Sequence, residues 1–148
     1  MPSIAAPGLA YAISRGPVKF TLTFQDAKRP DDDTFVLNLP TLDAAFVSKA
    51  ALVKRGLRMR TDRRQRDTVD AISLAAACLE DDGAIGAIGA HRKQSEVKDA
   101  LRWMKEALSS PSSAAARRIG TYFDDELGRS DGGEWSAAVA ARFNERVA

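Results

Sequence analysis

The stretch FVSKAALVKRGLRMRTDRRQRDTVDAISLAAAC, Phe46–Cys78, decides how this chain folds. It holds two apolar patterns of helical period, joined by a strongly basic segment. Extended back to Thr41, the first pattern places Leu42, Phe46, Val47, Ala50 and Val53 on one face, with Gly56 as a stop signal. Thr41 suits the N-cap, and Asp43 suits the positive end of the helix dipole. The second pattern predicts a helix from about Arg64 to Glu80, with Val69, Ile72, Ala76 and Leu79 inside and Gly83 just beyond its end. Between Lys54 and Arg66 stand seven basic residues and one acid, Asp62.

Upstream the period changes from helical to two. VKFTLTF, Val18–Phe24, alternates Phe20, Leu22 and Phe24 with Lys19, Thr21 and Thr23, the pattern of a half-buried strand. DAKRPDDD reads as a turn, and TFVLNL, Thr34–Leu39, as a second strand ending at Pro40. The first forty residues therefore read as β structure, a hairpin with a loop longer than two residues. A two-stranded hairpin is only marginally stable alone, so it must pack on the helices or join a larger sheet.

Downstream, GAIGAIGA, Gly83–Ala90, reads as a flexible connector. It lacks the Lys-Ser/Thr and the preceding strand of a phosphate loop. Three more helices follow. The first carries Val97, Leu101, Met104 and Leu108. The second starts at Ser110–Pro111 and stops at Gly128. The third repeats an apolar residue every four positions through Trp135, Val139, Phe143 and Val147. Trp103 and Trp135 read as core or partner-facing anchors. The expected fold is α+β, a small or incomplete sheet followed by a helical bundle. Its segments are 1–40 (hairpin or partial sheet), 41–82 (helix pair with basic joint) and 91–148 (C-terminal bundle), all in one domain.

At 148 residues the chain is long enough to bury a core. A formal charge of +2 does not argue nucleic-acid binding without clustering. Cys78 is the only cysteine, which excludes an intrachain disulfide and reads as a small buried hydrophobe. The opening MPSIAAPGLAYAIS makes a poor signal peptide, and no apolar run approaches the roughly 20 residues of a spanning helix. The expected location is the cytoplasm, with no membrane partner. His91, beside Arg92 and Lys93, reads as a surface histidine.

Charge clusters only in the basic joint. Its arginines suit phosphate contact by charge and bidentate geometry, or pair with nearby aspartates in a solvated turn. Lys49 lies at the margin of the first apolar stripe, placed either to snorkel into solvent or to face a phosphate. Asp67 and Asp70, spaced i, i+3, share a helix face. Asp67 suits the first turn, whereas Asp70, flanked by Val69, Ala71 and Ile72, needs a partner, either Lys49 or an arginine of the joint.

The order strand, LNLPTLDAAFVSKAALVKR, basic joint and QRDTVDAISLA resembles the second half of the nucleotidyltransferase toxins of the AbiE abortive-infection group. Lys49 matches the family lysine, and Arg66, Asp67 and Asp70 match its RD-x-x-D segment, with Ala71 where leucine is usual. The resemblance covers roughly residues 18–79. It implies a polymerase-β-like nucleotidyltransferase core that uses Mg²⁺ and a nucleoside triphosphate, with tRNA or other RNA as acceptor. Lys49, Asp67 and Asp70 would then be the catalytic group, and Arg55, Arg58 and Arg66 would bind phosphate. The family's Gly-Ser pair does not occur in the chain, and the only Asp-x-Asp falls in the Asp31–Asp33 turn, so no metal ligands are assigned. Metal-dependent transfer would need a metal-binding half supplied by another chain or by a longer gene product. The resemblance implies a partial or degenerate nucleotidyltransferase-like protein of toxin–antitoxin phage defence. The alternative is a non-catalytic binding module: antitoxin-like, tRNA-binding, or a subunit paired with an antitoxin or with a second chain that completes the sheet.

Overall fold

The computed structural model describes residues 8–23, 34–55 and 61–148; the side chains of Arg55 and of residues 61–63 lie outside that description. The elements run α1 (Leu9–Arg15), β1 (Val18–Thr23), β2 (Thr34–Leu39), α2 (Leu42–Arg55), α3 (Thr61–Leu79), α4 (Asp82–Ala90), α5 (Ser95–Ala107), α6 (Ala114–Leu127) and α7 (Gly132–Val147). The architecture is a two-stranded hairpin and a helical bundle. The expected DAKRPDDD turn falls outside the described residues.

The bundle forms around α2, which packs on α1, α3, α4 and α5, while α7 closes the far side against α3, α4, α5 and α6. Phe46 of α2 and Phe143 of α7 meet at the centre with ring centroids 4.8 Å apart. Both are fully buried, as are Val47, Ile72, Val97 and Ile119. Side chains in such interiors are packed to crystal-like density, so each helix is fixed by the shape of its apolar face. Cys78 and Trp103 belong to this core, and Trp135 packs at its margin with its ring 5.2 Å from Phe123.

Local chemistry explains the helix ends. Asp81 caps α4 by accepting from the Ala84 amide at 3.1 Å. Ser113 caps α6, accepting from the Ala116 amide at 3.2 Å, so α6 begins after the expected Ser110–Pro111 start. Gly128 ends α6 in the left-handed conformation, with its amide on the Asp124 carbonyl. At the start of α7 a side chain on Gly132 would press into Phe123, which is how closely α6 and α7 approach.

Three expectations are corrected. Residues 9–15, read as part of a β segment, form α1, which docks on α2. The GAIGAIGA connector is helix α4: its three-residue repeat puts Ala84, Ile85 and Ile88 inward, while the Gly86 and Gly89 positions meet nothing within 4 Å. Two buried isoleucines and an aspartate cap outweigh the cost of three helical glycines.

β1, expected to be half-buried, is exposed throughout, and so is β2. They pair antiparallel in the register Val18↔Leu39, Phe20↔Leu37 and Leu22↔Phe35, so these six apolar residues share one face. Each is between 39% and 54% exposed. The opposite face carries Lys19, Thr21, Thr23, Thr34, Val36 and Asn38. Neither strand makes more than marginal contact with any helix, so the hairpin stands off the bundle.

Candidate functional site

Two of the polar clusters that join the described helices are built on buried aspartates, Asp67 and Asp43. In the first, Lys49 of α2 reaches across to α3. Its Nζ donates to Asp67 Oδ1 at 2.9 Å and lies 3.1 Å from Asp70 Oδ2. The i, i+3 spacing of the aspartates sets both carboxylates on the face that meets α2. Burial alone would lower the Lys49 pKa, but the hydrogen bonds and charges of Asp67 and Asp70 outweigh it and hold the ammonium above the ordinary lysine range.

The structure brings Lys49, Asp67 and Asp70 together and buries the first aspartate rather than the second, for which the sequence predicts a partner in Lys49 or an arginine of the joint. Because α3 starts at Thr61, Asp67 lies in its second turn and is buried, whereas the Asp70 side chain is 51% exposed. Arg66 is exposed and takes no part in the described hydrogen bonds of the cluster. The Arg55 side chain and Arg58 lie outside the described residues.

The second cluster has no counterpart in the sequence reading. Asp43, assigned there to the helix dipole, is 2% exposed and accepts from the Tyr11 hydroxyl and from Arg15 Nε, each at 2.7 Å. Burial would raise the Asp43 pKa, but these two donors outweigh it and hold the carboxyl below its ordinary range. Burial, and then the bond to Asp43, drive the Tyr11 phenol well above its usual value. Edge-on, Tyr11 also meets the His91 ring at 5.5 Å, so His91 is partly covered rather than a free surface group. Its Nδ1 lies 2.8 Å from the Ala87 carbonyl oxygen at the end of α4. Beneath this group the Cys78 thiol is pushed up to about 12, by burial first and then by the charges of Asp43 and Asp81. A thiol so protonated is a packing group and a poor nucleophile.

A magnesium site wants an octahedron of oxygens, and here the position between Asp67 Oδ1 and Asp70 Oδ2 is taken by the Lys49 ammonium. Among the described residues no three His, Cys, Asp or Glu side chains gather to hold a metal.

A third feature is a shallow groove between α3 and α6, lined by Gln65, Ala114, Arg117, Arg118 and Thr121. Gln65 Nε2 donates to the Arg118 carbonyl at 3.3 Å and so fixes its floor. Next to it, Lys54 Nζ is engaged by Glu106 at 2.9 Å.

Compared with known proteins, the chain matches no family model, no curated protein and no solved structure. Among the described residues no helix is long and apolar enough to cross a membrane.

Proposed function

We propose that the chain is a non-catalytic interaction module, a subunit whose hairpin is the docking surface for another protein chain. The six-residue apolar face of the hairpin carries this reading: among the described residues it is contiguous, uncharged and exposed. Patches larger than about 300–600 Å² are uncommon on monomeric proteins and mark contact surfaces. The Lys49 cluster supports a non-catalytic role, because the position between its two carboxylates is taken by the Lys49 ammonium. A photo-crosslinking residue placed in cells at Leu37, with Asp124 on the bundle as control, tests docking. Protein adducts from the hairpin position alone are expected, and no adduct there would overturn the reading. Incubating the chain with each labelled nucleoside triphosphate, Mg²⁺ and total tRNA is expected to give no transfer. Transfer that disappears in Lys49→Ala would restore the nucleotidyltransferase reading.

A second reading, contact with RNA phosphates, is favoured by the α3–α6 groove. There Arg117 and Arg118 line one groove with Gln65, directly between Arg64 and Arg66 at the end of the basic joint. It predicts tRNA binding that weakens steeply with salt and falls further in Arg117→Glu/Arg118→Glu. Binding unaffected by salt and by that double substitution would remove it.

A further inference from the structure

The docking reading names a surface and leaves its occupant open. We propose that the occupant is a second copy of this chain, stacked on the hairpin face to face about a two-fold axis; this rests on the docking reading above. Three observations lead there.

The first is area. Roughly half of each of six large apolar residues, together with the exposed Leu9 and Ile13 at the hairpin base, amounts to about 600 Å² per chain. A stable interface buries about 800 Å² on each side, so the apolar face with its polar rim supplies the area one such contact needs. The second is charge. A two-fold interface sets residues near the axis against their own copies, so a charged centre would repel itself. Among the described residues this face carries no charge, so like faces meet there without penalty.

The third is shape. Edge-to-edge pairing of two hairpins would build a four-stranded sheet but leave both apolar faces in water. Stacking about 10 Å apart covers both at once. With the sheets so close, two bundles each several helices thick cannot sit at the same end, so the hairpins run antiparallel. Six-residue strands reach roughly 20 Å, which carries the tip of one hairpin over the base of the other. At that base Leu9, Ala12, Ile13, Pro17, Leu39 and Pro40 are among the residues lining an apolar trough of about 470 Å³. Phe35, beside the hairpin tip and 54% exposed, is the side chain that enters the trough of the other copy.

The test is the mass of the full chain by light scattering and sedimentation from about 1 to 100 µM. A species of twice 16.0 kDa is expected. Leu37→Asp should weaken self-association about 30-fold or more while leaving the helical circular dichroism unchanged, since Leu37 contributes nothing to the bundle core. The arrangement itself is read by mixing Phe35→Cys chains with Ile13→Cys chains under mild oxidation. A mixed disulfide dimer is expected, and the buried native Cys78 does not compete. A monomer at every concentration, or a dimer indifferent to Leu37→Asp, overturns self-pairing. A dimer lost in Leu37→Asp that forms no mixed disulfide overturns the antiparallel order. If the chain is monomeric while Leu37 still crosslinks in cells to a chain of another mass, self-pairing fails and the docking reading stands. If Leu37 gives no adduct, both fail.

Discussion

Replacing Tyr11 by Phe removes one hydroxyl and keeps the ring in place against His91. The hydroxyl donates to an ionised carboxylate at 2.7 Å, and both partners are essentially buried, at 0% and 2% exposure. A hydrogen bond to a charged acceptor contributes about 1.5–3 kcal/mol, and Asp43 keeps Arg15 as a second donor, so the expected loss is about 2 kcal/mol. Where that loss appears depends on whether α1 opens alone. α1 is seven residues long and packs mainly on α2, which makes a local opening feasible. In that case amide exchange across Leu9–Arg15 rises about 30-fold while the urea midpoint holds. If α1 unfolds with the bundle, the midpoint drops by about 1 M, taking a slope of roughly 2 kcal/mol/M. A double-mutant cycle with Asp43→Asn isolates the pair. Unchanged exchange together with an unchanged midpoint would refute the claim that this bond holds α1 in place.

The remaining predictions concern the two polar clusters, the buried thiol and two helix glycines. Lys49→Met leaves Asp67 buried without its ammonium. Discounted for the 35% exposure of Lys49, the expected loss in denaturant unfolding is about 1–2 kcal/mol, part of it recovered by adding Asp67→Asn. Cys78 should react with a thiol reagent only as fast as the chain opens, so its labelling rate should follow urea concentration through the unfolding transition. The Asp43 carboxyl titrates lower in the folded chain than in the unfolded one. Its contribution is therefore present above about pH 4 and lost as pH falls through the folded value, so acid unfolding in Asp43→Asn should be shallower than in the parent. Gly8 caps α1 at φ +81 with Ser48 against it, and an added Cβ would overlap Ser48. Gly8→Ala should therefore raise exchange across α1, whereas Gly86→Ala, facing open space, should stabilise α4 by about 0.5–1 kcal/mol in thermal melts.

What the sequence made legible follows from where each signal resides. The apolar stripes of α2, α3, α5 and α7 are local, and so is the glycine that ends α6. The shared face of the i, i+3 aspartates was likewise readable, with Lys49 as one of two candidate partners for Asp70. Nothing local marks α1: LAYAISR is short, bracketed by glycines, and held by a carboxylate 28–32 residues downstream. The three glycines of α4 looked like a breaker because its aspartate cap and two inward isoleucines count only once a core receives them. Alternation along the strands identified an apolar face correctly, but a period of two cannot say whether anything covers it. The exchange of roles between Asp67 and Asp70 came from placing the start of α3 three residues too late.

The Arg15–Asp43 contact has a consequence for the hairpin. Arg15 stands just before β1 and Asp43 just after β2, so this contact pins together the two points where the hairpin leaves and rejoins the bundle. The chain between them is an excursion whose ends are already side by side. In the topological sense it is an insertion: the helices on either side are closed upon each other without it. Natural variation in the length or composition of that excursion would then change what the protein meets without disturbing how its bundle folds.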